Sequence, residues 1–235
     1  SRWLSVFSTS VIYNSTVSMQ QHNNIGFSKR KRCMIPNGFD LQKFYPDQGR
    51  SQQLRKDLGV SKNEIIVGHI SRFHPMKDHA TLLRAINHVM KNIYASNGKQ
   101  EVIFLLIGHE VTSALSTNPA IHFLGERTDI PNIMSALDIL VSSSAWGEGF
   151  PNVIGEAMAS EVPCVVTDVG DSAYIVGNYG MVCPVGDDKC IADSMMQLIE
   201  NRQQRKIMGQ QARQRIKQNY SMDKIKKEYL QVWGF

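Results

Sequence analysis

The chain has 235 residues, 42% of them hydrophobic and 20% charged, which is the composition of a globular protein long enough to bury a core. No apolar run approaches the ~18 residues of a membrane span, and the first residues lack the order of a signal peptide, so we expect a cytoplasmic protein. The net charge of +5 resides largely in residues 28–32 and in the C-terminal helices, without interleaved aromatic residues. This pattern favours a solvated face over a nucleic-acid partner, and it leaves an anionic ligand or the lipid headgroups at the inner face of a membrane as alternatives.

Residues 1–30 are predicted to be the end of a domain that precedes the main one. A strand ends near Asn14, and a helix follows with its N-cap at Ser15 or Thr16. A basic loop then leads to a new strand at CMIPNG (33–38). The sequence does not begin with Met and no compact unit starts there, so we expect a piece of a longer protein.

Residues 31–220 alternate between apolar, β-branched runs and amphipathic stretches, which predicts strands joined by helices. The predicted strands cover 65–71, 101–108, 120–125, 138–144, 163–168 and 180–185. The predicted helices cover 78–94, 131–136, a segment that starts at about Phe150, 188–201 and 204–219. Because the strands are apolar on both faces, we expect an α/β fold with a doubly wound, Rossmann-like parallel sheet.

A last helix is predicted at 222–233, with Ser221 as its N-cap. Its apolar residues lie on one stripe: Ile225, Tyr229 and Val232 or Trp233. Such a stripe needs a partner, so we treat residues 221–235 as a separate segment, with self-association as one way of covering the stripe.

The chain has four cysteines, at Cys33, Cys164, Cys183 and Cys190. They show no C-x-x-C pairing and no spacing typical of metal ligands, and two of them lie in predicted strands. We therefore expect buried free thiols.

The candidate site lies where the predicted strands end, because ligands of such sheets bind at the carboxyl ends of the strands. The segments that follow the strands are 72–78, 108–112, 125–130, 145–152 and 168–172.

The segment WGEGFPNVIGE (146–156) combines glycines, a proline and two glutamates just after a predicted strand. The proline suits the first turn of a helix, and the free amides near Gly149 to Val153 are able to cradle a phosphate. Asn152 and Glu156 share one helix face, which we expect to point into the cleft. Glu148 reaches the same cleft from its loop, so each glutamate is able to accept the hydroxyls of one sugar ring.

The segment SRFHPMKD (71–78) supplies cations at another strand end. Arg72 ends the strand, and Lys77 lies five positions on, around a turn that Pro75 shapes. A guanidinium fork beside an ammonium group suits a diphosphate.

Several aromatic side chains near these segments have simpler explanations. His74 and His79 have no carboxylate partner in the sequence and are expected at the surface, whereas His69 is expected to be a satisfied interior residue of its strand. Trp146 either lines the cleft or packs under its loop.

Taken together, these motifs resemble the retaining glycosyltransferases with the GT-B fold, a family that includes many α-mannosyl- and α-glucosyltransferases. The resemblance covers residues 11 to 219 and rests on the Arg72 and Lys77 pair and on IPNGFDLQKFYP, FLGERTDIPNIMSALDILVSSS and EGFPNVIGEAMASEVPCVVTDVG. It implies that 31–220 is the C-terminal, donor-binding half of a GT-B fold. By the same resemblance, 1–30 is what remains of the acceptor-binding N-terminal domain, and 221–235 is a helix that crosses back to that domain.

The resemblance also implies a nucleotide-diphosphate sugar as donor. As catalytic residues it implies Arg72 and Lys77, which would hold the diphosphate and take up charge on the leaving group, and Glu148, which would bind hydroxyls of the donor sugar. Glu156 would accept the ribose hydroxyls, and 127–129 would flank the base mainly through their backbone. The implied donor-binding residues are Arg127, Thr128, Asp129, Gly149, Phe150, Pro151, Asn152, Val153 and Glu156.

The implied reaction transfers a hexose, with retention of configuration, to a glycan or lipid-linked acceptor that the N-terminal domain would bind, as in polysaccharide or lipopolysaccharide biosynthesis. Attack on the face that the leaving group vacates is favoured over a double displacement through Glu148. The resemblance implies no metal and no cofactor. The alternative is a nucleotide-sugar-binding regulatory module without catalysis.

The chain departs from the family pattern at a few positions. Ser71 and Glu161 stand where glycine is usual, and a left-handed backbone would cost a residue other than glycine about 1 kcal/mol. The other departures are His109 and Glu110, where a second glycine is common, and Asp171 and Tyr174, where Gly and Glu are common.

Overall fold

The computed structural model of the protein describes residues 7–29, 32–95 and 101–234. Part of the basic segment 28–32, and the first residues of the predicted remnant 1–30, lie outside this description. In chain order the elements are β1 (Val11–Tyr13), α1 (Thr16–Asn24), β2 (Arg32–Met34), α2 (Gln48–Asp57), β3 (Ile65–Ile70), α3 (His79–Ala95), β4 (Val102–Ile107), β5 (Ile121–Gly125), α4 (Ile130–Ala136), β6 (Ile139–Ser142), α5 (Asn152–Ala159), β7 (Cys164–Thr167), α6 (Ser172–Val176), β8 (Met181–Cys183), α7 (Asp188–Glu200), α8 (Arg202–Asn219) and α9 (Met222–Trp233).

Strands β3 to β8 form one parallel sheet in the order β5-β4-β3-β6-β7-β8. The chain first adds β4 and β5 on one side of β3, and it then returns to add β6 on the other side. The direction of winding therefore switches between β3 and β6. The predicted doubly wound α/β fold is confirmed, and the crevice for a ligand lies beyond the ends of these two strands.

Both faces of the sheet are buried, which explains why the strands read as continuous apolar runs. Ile66 of β3 and Leu105 of β4 face a core that α4, α5 and α8 cover. Val67 and Phe104, their neighbours in sequence, face the opposite core, which α3 and α7 cover. The alternation of side chains along each strand divides the same apolar run between two cores.

The predicted strands and long helices are found within a few residues of their expected limits, but α2 and α6 were not predicted. Helix α2 buries only Leu54, so it carries little of the apolar periodicity that marks a helix. Helix α6 has five residues, too few for such a pattern. Helix α5 begins at Asn152 rather than at about Phe150, with Pro151 in the N-cap position.

The predicted N-terminal remnant packs on the main sheet domain through the start of α1. Strand β1 pairs in parallel with β2, and Ser15 is the N-cap of α1, where its side chain accepts a hydrogen bond from the Ser18 amide. The carboxylate of Asp171 accepts hydrogen bonds from the Thr16 amide at 2.7 Å and from the Thr16 hydroxyl. An acidic group at a helix N-terminus is favourable, so this departure from the family pattern joins α1 to the loop after β7.

Helix α9 is attached at its start and exposed at its end. The Phe39 amide donates to the Tyr220 carbonyl at 2.8 Å, and the Met222 amide donates to the Phe39 carbonyl at 3.0 Å. Ile225 is buried, whereas Trp233 is 63% exposed. Ser221 is the N-cap residue, as predicted, but its side chain makes no capping hydrogen bond. Among the described residues, no helix is both long enough and apolar enough to cross a membrane.

The expectation of four free thiols was wrong for two of them. The structure joins Cys183, at the end of β8, to Cys190, in the first turn of α7, in a disulfide with their Cα atoms 5.7 Å apart. That separation lies within the range for a disulfide, and it arises because α7 folds back beside β8. Cys33 and Cys164 are free, and Cys164 is buried as predicted.

Two of the departures from glycine lie where the backbone is left-handed. Glu161 follows α5 with φ of 63°, and Glu110 follows β4 with φ of 59°. Each costs on the order of 1 kcal/mol, which a packed domain tolerates. Ser71 is not among the described residues with positive φ, so its side chain causes no such strain.

Candidate active site

The two loops that follow β3 and β6 meet at the switch point and bring Lys77 and Glu148 together. The Lys77 ammonium group forms an ion pair with Oε1 of Glu148, and the Ser144 hydroxyl donates to the same oxygen at 2.6 Å. Both side chains are largely buried, with 18% and 9% of their surfaces exposed. Two of the three implied catalytic residues therefore touch, although they come from different strand ends.

Hydrogen bonds between the two loops hold this pair in place. The Ser143 hydroxyl donates to the Lys77 carbonyl at 2.8 Å, and the Ala145 amide donates to the Met76 carbonyl at 2.8 Å. On the other side, the Phe73 amide donates to the His109 carbonyl at 2.8 Å. The cation-bearing loop, residues 72–77, is thus hydrogen-bonded through its backbone to the loops after β4 and β6.

Arg72 stands at the exposed start of the same loop. Among the described residues it makes no hydrogen bond or ion pair, in contrast to Lys77. A guanidinium group in this position keeps its five donors for a ligand. The structure therefore places both predicted cations in the loop after β3, with one of them engaged by a carboxylate.

The start of α5 presents backbone amides beside this loop. Pro151 offers no side-chain cap, so the amides of the first turn lack the partner that a capping side chain would supply. Phe150 is buried, with its ring 6.2 Å from that of Phe39 and 5.8 Å from that of Tyr220. This packing anchors the segment that carries Glu148 and Gly149.

The loop after β7 packs against the backbone of Glu148 and Gly149. Gly170 has φ of 59°, and a Cβ atom there would lie 2.5 Å from the carbonyl oxygen of Glu148. The next amide, of Asp171, donates to the Gly149 carbonyl at 2.9 Å. Only glycine allows this close approach of two backbones.

Asn152 and Glu156 share one face of α5, as predicted, and both line a cavity of about 600 Å³ that also includes Lys43 and Tyr229. Asn152 Oδ1 accepts a hydrogen bond from Asn37 Nδ2 at 2.7 Å. Burial raises the pKa of Glu156, and the charge of Lys43 partly offsets this rise. The cavity thus holds a carboxylate whose protonation is sensitive to its surroundings.

Val153 is only partly buried, although it packs against the core that α4, α5 and α8 cover. Its neighbour Ile154 is fully buried. The first turn of α5 is therefore less buried than the rest of the helix.

Arg127 and Asp129 pair with each other at the start of α4. Arg127 Nε and Nη2 donate to the two carboxylate oxygens of Asp129, both at 2.7 Å. These bonds lower the pKa of Asp129, and Thr128 between them is exposed. Neither side chain makes a hydrogen bond or ion pair with Arg72, Lys77 or Glu148 in the described part of the chain. The pairing leaves mainly backbone groups of 127–129 for a ligand.

Residues 50–215 match the profile of the family described as Glycosyl transferases group 1, which is well over half of the chain. The chain belongs to this family. Its members are retaining glycosyltransferases of the GT-B fold, as the motifs implied.

Several relatives of this chain are named for lipid-linked glycans or for capsular polysaccharide biosynthesis. It is 26% identical, over 86% of its length and 54% of the relative, to the Escherichia coli UDP-Gal:alpha-D-GlcNAc-diphosphoundecaprenol alpha-1,3-galactosyltransferase. It is also 26% identical, over 97% of its length and 60% of the relative, to the Campylobacter jejuni N,N'-diacetylbacillosaminyl-diphospho-undecaprenol alpha-1,3-N-acetylgalactosaminyltransferase. The chain spans about half the length of the curated relatives that it matches.

Among solved structures, the chain is similar to Anabaena HepE (Alr3699) in complex with UDP and glucose. The TM-score is 0.85 at 26% identity, and the match covers 98% of this chain and 64% of HepE. That share is consistent with one Rossmann-like half of a GT-B glycosyltransferase.

The two serines that support the ion pair were not predicted as site residues. Ser143 and Ser144 lie at the end of the predicted strand 138–144 and were assigned to it, whereas β6 ends at Ser142. Polar residues at the end of an apolar run, next to a candidate loop, were the available signal. Their hydroxyls bond to the Lys77 carbonyl and to Glu148.

The predictions for the histidines near the candidate site were partly confirmed and partly wrong. His69 is a buried interior residue with hydrogen-bonded ring nitrogens, as predicted. His79 was expected at the surface but is 4% exposed, because the first turn of α3 directs it inward against His69. His74 accepts a hydrogen bond from the Met76 amide, and its ring lies 6.0 Å from that of Trp146, which is 55% exposed.

Proposed function

We propose that this chain is the donor-binding half of a glycosyltransferase that uses a UDP-sugar and transfers a hexose to a glycan or lipid-linked acceptor. The Lys77–Glu148 pair at the switch point carries the proposal, because a cation suited to a phosphate lies next to a carboxylate suited to sugar hydroxyls. The HepE complexes with UDP and with UDP-glucose, and the UDP-galactose named for the Escherichia coli relative, support uridine as the base.

In the proposed complex, Arg72 and Lys77 bind the diphosphate together with the amides at the start of α5. Glu148 accepts hydroxyls of the donor sugar, and Glu156 accepts the two ribose hydroxyls. The backbone of 127–129 flanks the base. Two cations and a helix N-terminus stabilise the charge that develops on the departing UDP, in a site already shaped by the loops around it.

The proposed chemistry exchanges one glycosidic bond for another. The bond from the anomeric carbon to the diphosphate oxygen breaks, and the acceptor oxygen bonds to the same carbon on the same face. The acceptor's proton passes to the departing phosphate, and the configuration is retained. A double displacement through Glu148 is less favoured, as the resemblance to the family implies.

The domain limits belong to the same proposal. Residues 1–30 are the end of an acceptor-binding domain, 31–220 form the donor domain, and 221–235 return toward the acceptor side. The contact between Thr16 and Asp171 supports this arrangement, since it holds α1 against the loop that backs Gly149. The names of the relatives support a diphospho-undecaprenol or similar lipid-linked acceptor at a membrane surface.

Donor binding is tested by calorimetry and thermal unfolding of the chain with UDP, GDP and ADP, each with and without a hexose. We expect UDP ligands to bind most tightly, and a ligand at 100 times its Kd to stabilise the chain by about 2.7 kcal/mol. If no nucleoside diphosphate raises the unfolding temperature, the proposal is wrong. Tight binding without transfer in the longer protein would favour the regulatory alternative.

A further inference from the structure

The side chains of His69, Ser71 and His79 form a hydrogen-bonded network beside the cation-bearing loop. His69 Nδ1 is 2.9 Å from the Val141 carbonyl oxygen, and its Nε2 is 2.8 Å from the Ser71 hydroxyl. The same hydroxyl is 3.4 Å from His79 Nε2. His69 is 3% and His79 4% exposed, so neither ring exchanges these partners for water.

The hydrogen-bond partners of these three side chains determine where each of their protons lies. The Val141 carbonyl only accepts, so His69 carries its proton on Nδ1 and leaves Nε2 as an acceptor. The Ser71 hydroxyl must then donate to His69, and its oxygen is left to accept from His79 Nε2. His79 Nδ1 is buried and has no hydrogen-bond partner in the described structure, which fits an unprotonated nitrogen.

The three side chains of this network are uncharged. Burial lowers the pKa of His69 to about 3, and the neighbouring His79 and Lys77 add to this effect. Burial also lowers the pKa of His79, where Asp78 opposes the shift and Lys77 reinforces it. A protonated His79 would put a second cation beside Lys77 and would also need an acceptor at Nδ1, which the structure does not provide.

Ser71 and His79, two members of this network, bracket the residues that are proposed to bind phosphate. Ser71 directly follows β3 and His79 begins α3, so Arg72 and Lys77 lie on the segment between them. Val141 belongs to β6, the strand that leads to Glu148. One run of hydrogen bonds therefore fixes both ends of the cation-bearing loop relative to the strand that supplies the carboxylate.

We propose that His69, Ser71 and His79 are positioning residues, which hold the loop 72–77 in its diphosphate-binding geometry through the hydroxyl of Ser71. This inference rests on the proposed function for its ligand, and the experiment separates the two. Ser71 is well suited to the role because its backbone is unstrained, so a side chain fits where the family usually has glycine.

The first measurement is of tautomers, by nitrogen NMR of the histidine rings in the 235-residue chain at neutral pH. We expect Nδ1–H for His69 and Nε2–H for His79, with both rings uncharged. In Ser71→Ala the preference of His79 for Nε2–H should weaken, because its acceptor is gone. An Nε2–H tautomer for His69 in the unaltered chain would overturn the proposal.

The second measurement compares Ser71→Ala and Ser71→Thr, with Ser113→Ala on the exposed turn Ser113–Leu115 as the matched control. Ser71→Ala should weaken binding of UDP by about three- to tenfold, the effect of one lost hydrogen bond, and leave uridine binding unchanged. Ser71→Thr keeps the hydroxyl and should restore UDP affinity. An equal loss for uridine, or no rescue by threonine, would indicate a structural effect only and overturn the proposal.

Hydrogen exchange of the amides of 72–77 provides a readout that needs no ligand. It should be faster in Ser71→Ala than in the unaltered chain and in Ser113→Ala. If the chain binds no UDP but exchange behaves as expected, the proposed function fails and the positioning role stands. If UDP binds and both exchange and affinity are unaffected by Ser71→Ala, the positioning role fails alone.

Discussion

Lys77 and Glu148, 71 positions apart in the sequence, form an ion pair at the point where the sheet reverses its direction of winding. Each charge neutralises the other, and the Ser144 hydroxyl donates a hydrogen bond to the same carboxylate. Donor binding would divide this pair, since the ammonium group suits the diphosphate and the carboxylate suits the sugar hydroxyls. The pair thus keeps both groups in place while limiting the cost of burying either charge alone.

The cations should determine affinity for the diphosphate. Arg72→Ala or Lys77→Ala should weaken binding of UDP by about 1.5 to 3 kcal/mol, the effect of a charge-assisted contact, and leave uridine binding nearly unchanged. Calorimetry measures both, with the exposed Lys91→Ala as the control for loss of a positive charge. Unchanged UDP affinity in both variants would place the phosphate site elsewhere.

The two glutamates should differ in which ligand they affect. Glu156→Gln should weaken UDP and UDP-hexose alike, because both contain ribose. Glu148→Gln should weaken only UDP-hexose, and it should leave UDP affinity equal or slightly higher, because Lys77 is released from its ion pair. Equal losses for both ligands in both variants would overturn the assigned roles.

The raised pKa of Glu156 predicts a pH dependence of binding. Hydroxyl groups donate to the ionised carboxylate, so affinity for UDP should be full above this pKa and fall as acidification protonates the group. The fall should begin at a higher pH than for an ordinary glutamate. In Glu156→Gln, calorimetry should show a weaker affinity that no longer changes over this range; an unaltered pH profile would exclude the assignment.

The buried histidines predict a loss of stability in mild acid. The folded pKa of His69, about 3, lies below its ordinary value of 6.5, so the unfolded chain binds a proton first and stability is lost as the pH falls below 6.5. Each histidine held neutral contributes up to about 1.4 kcal/mol per pH unit. Carboxylates with lowered pKa, such as Asp129, act only at lower pH. Glu156, whose pKa is raised, acts in the opposite direction, since its protonation in the folded chain opposes the loss, so the contribution of His69 is taken from the comparison with its variant.

Denaturant unfolding at several pH values measures this slope. His69→Gln, which keeps a hydrogen-bonding side chain, should be less stable at pH 7 but should show a slope smaller by one histidine. The exposed Ser113 serves as the control position, with Ser113→Ala expected to leave the slope unchanged. A slope that is the same in all three proteins would mean that His69 is protonated in the folded state.

A protein consisting of these 235 residues alone should bind its donor but transfer almost no hexose. In a GT-B enzyme the cleft between two domains positions the acceptor, and the loss of that positioning is worth roughly 7 to 11 kcal/mol of the barrier. Product analysis with UDP-hexose and lipid-linked acceptors should detect at most slow hydrolysis. Robust transfer would mean that this chain builds an acceptor site by itself.

The exposed end of α9 should promote self-association. Leu230 and Trp233 are exposed, whereas Ile225 is buried near Gly38, so trimming the chain after Tyr220 would also remove packing. The double variant Leu230→Ser, Trp233→Ser avoids that loss, and in light scattering it should be more monomeric than the unaltered chain. Association that persists in the double variant would assign it to another surface.

Local features of the sequence predicted much of the fold and the chemistry of the site. Apolar runs such as 101–108 and 163–168 indicated strands buried on both faces, because burial leaves a direct trace in residue type. The loops after the runs 65–71 and 138–144 indicated where cations and carboxylates would lie. Helix α2 was not predicted, because it is mostly exposed to solvent and its sequence has little apolar periodicity.

The tertiary structure decided which of these groups meet. Strand order placed β6 next to β3, and this neighbourhood, rather than any spacing in the sequence, brings Glu148 to Lys77 and Val141 to His69. The inward orientation of His79 and the joining of Cys183 to Cys190 likewise depend on how α3 and α7 pack beside the sheet. A sequence records the burial and backbone preference of each residue, but contacts between distant residues arise only when the strands are assembled in one particular order.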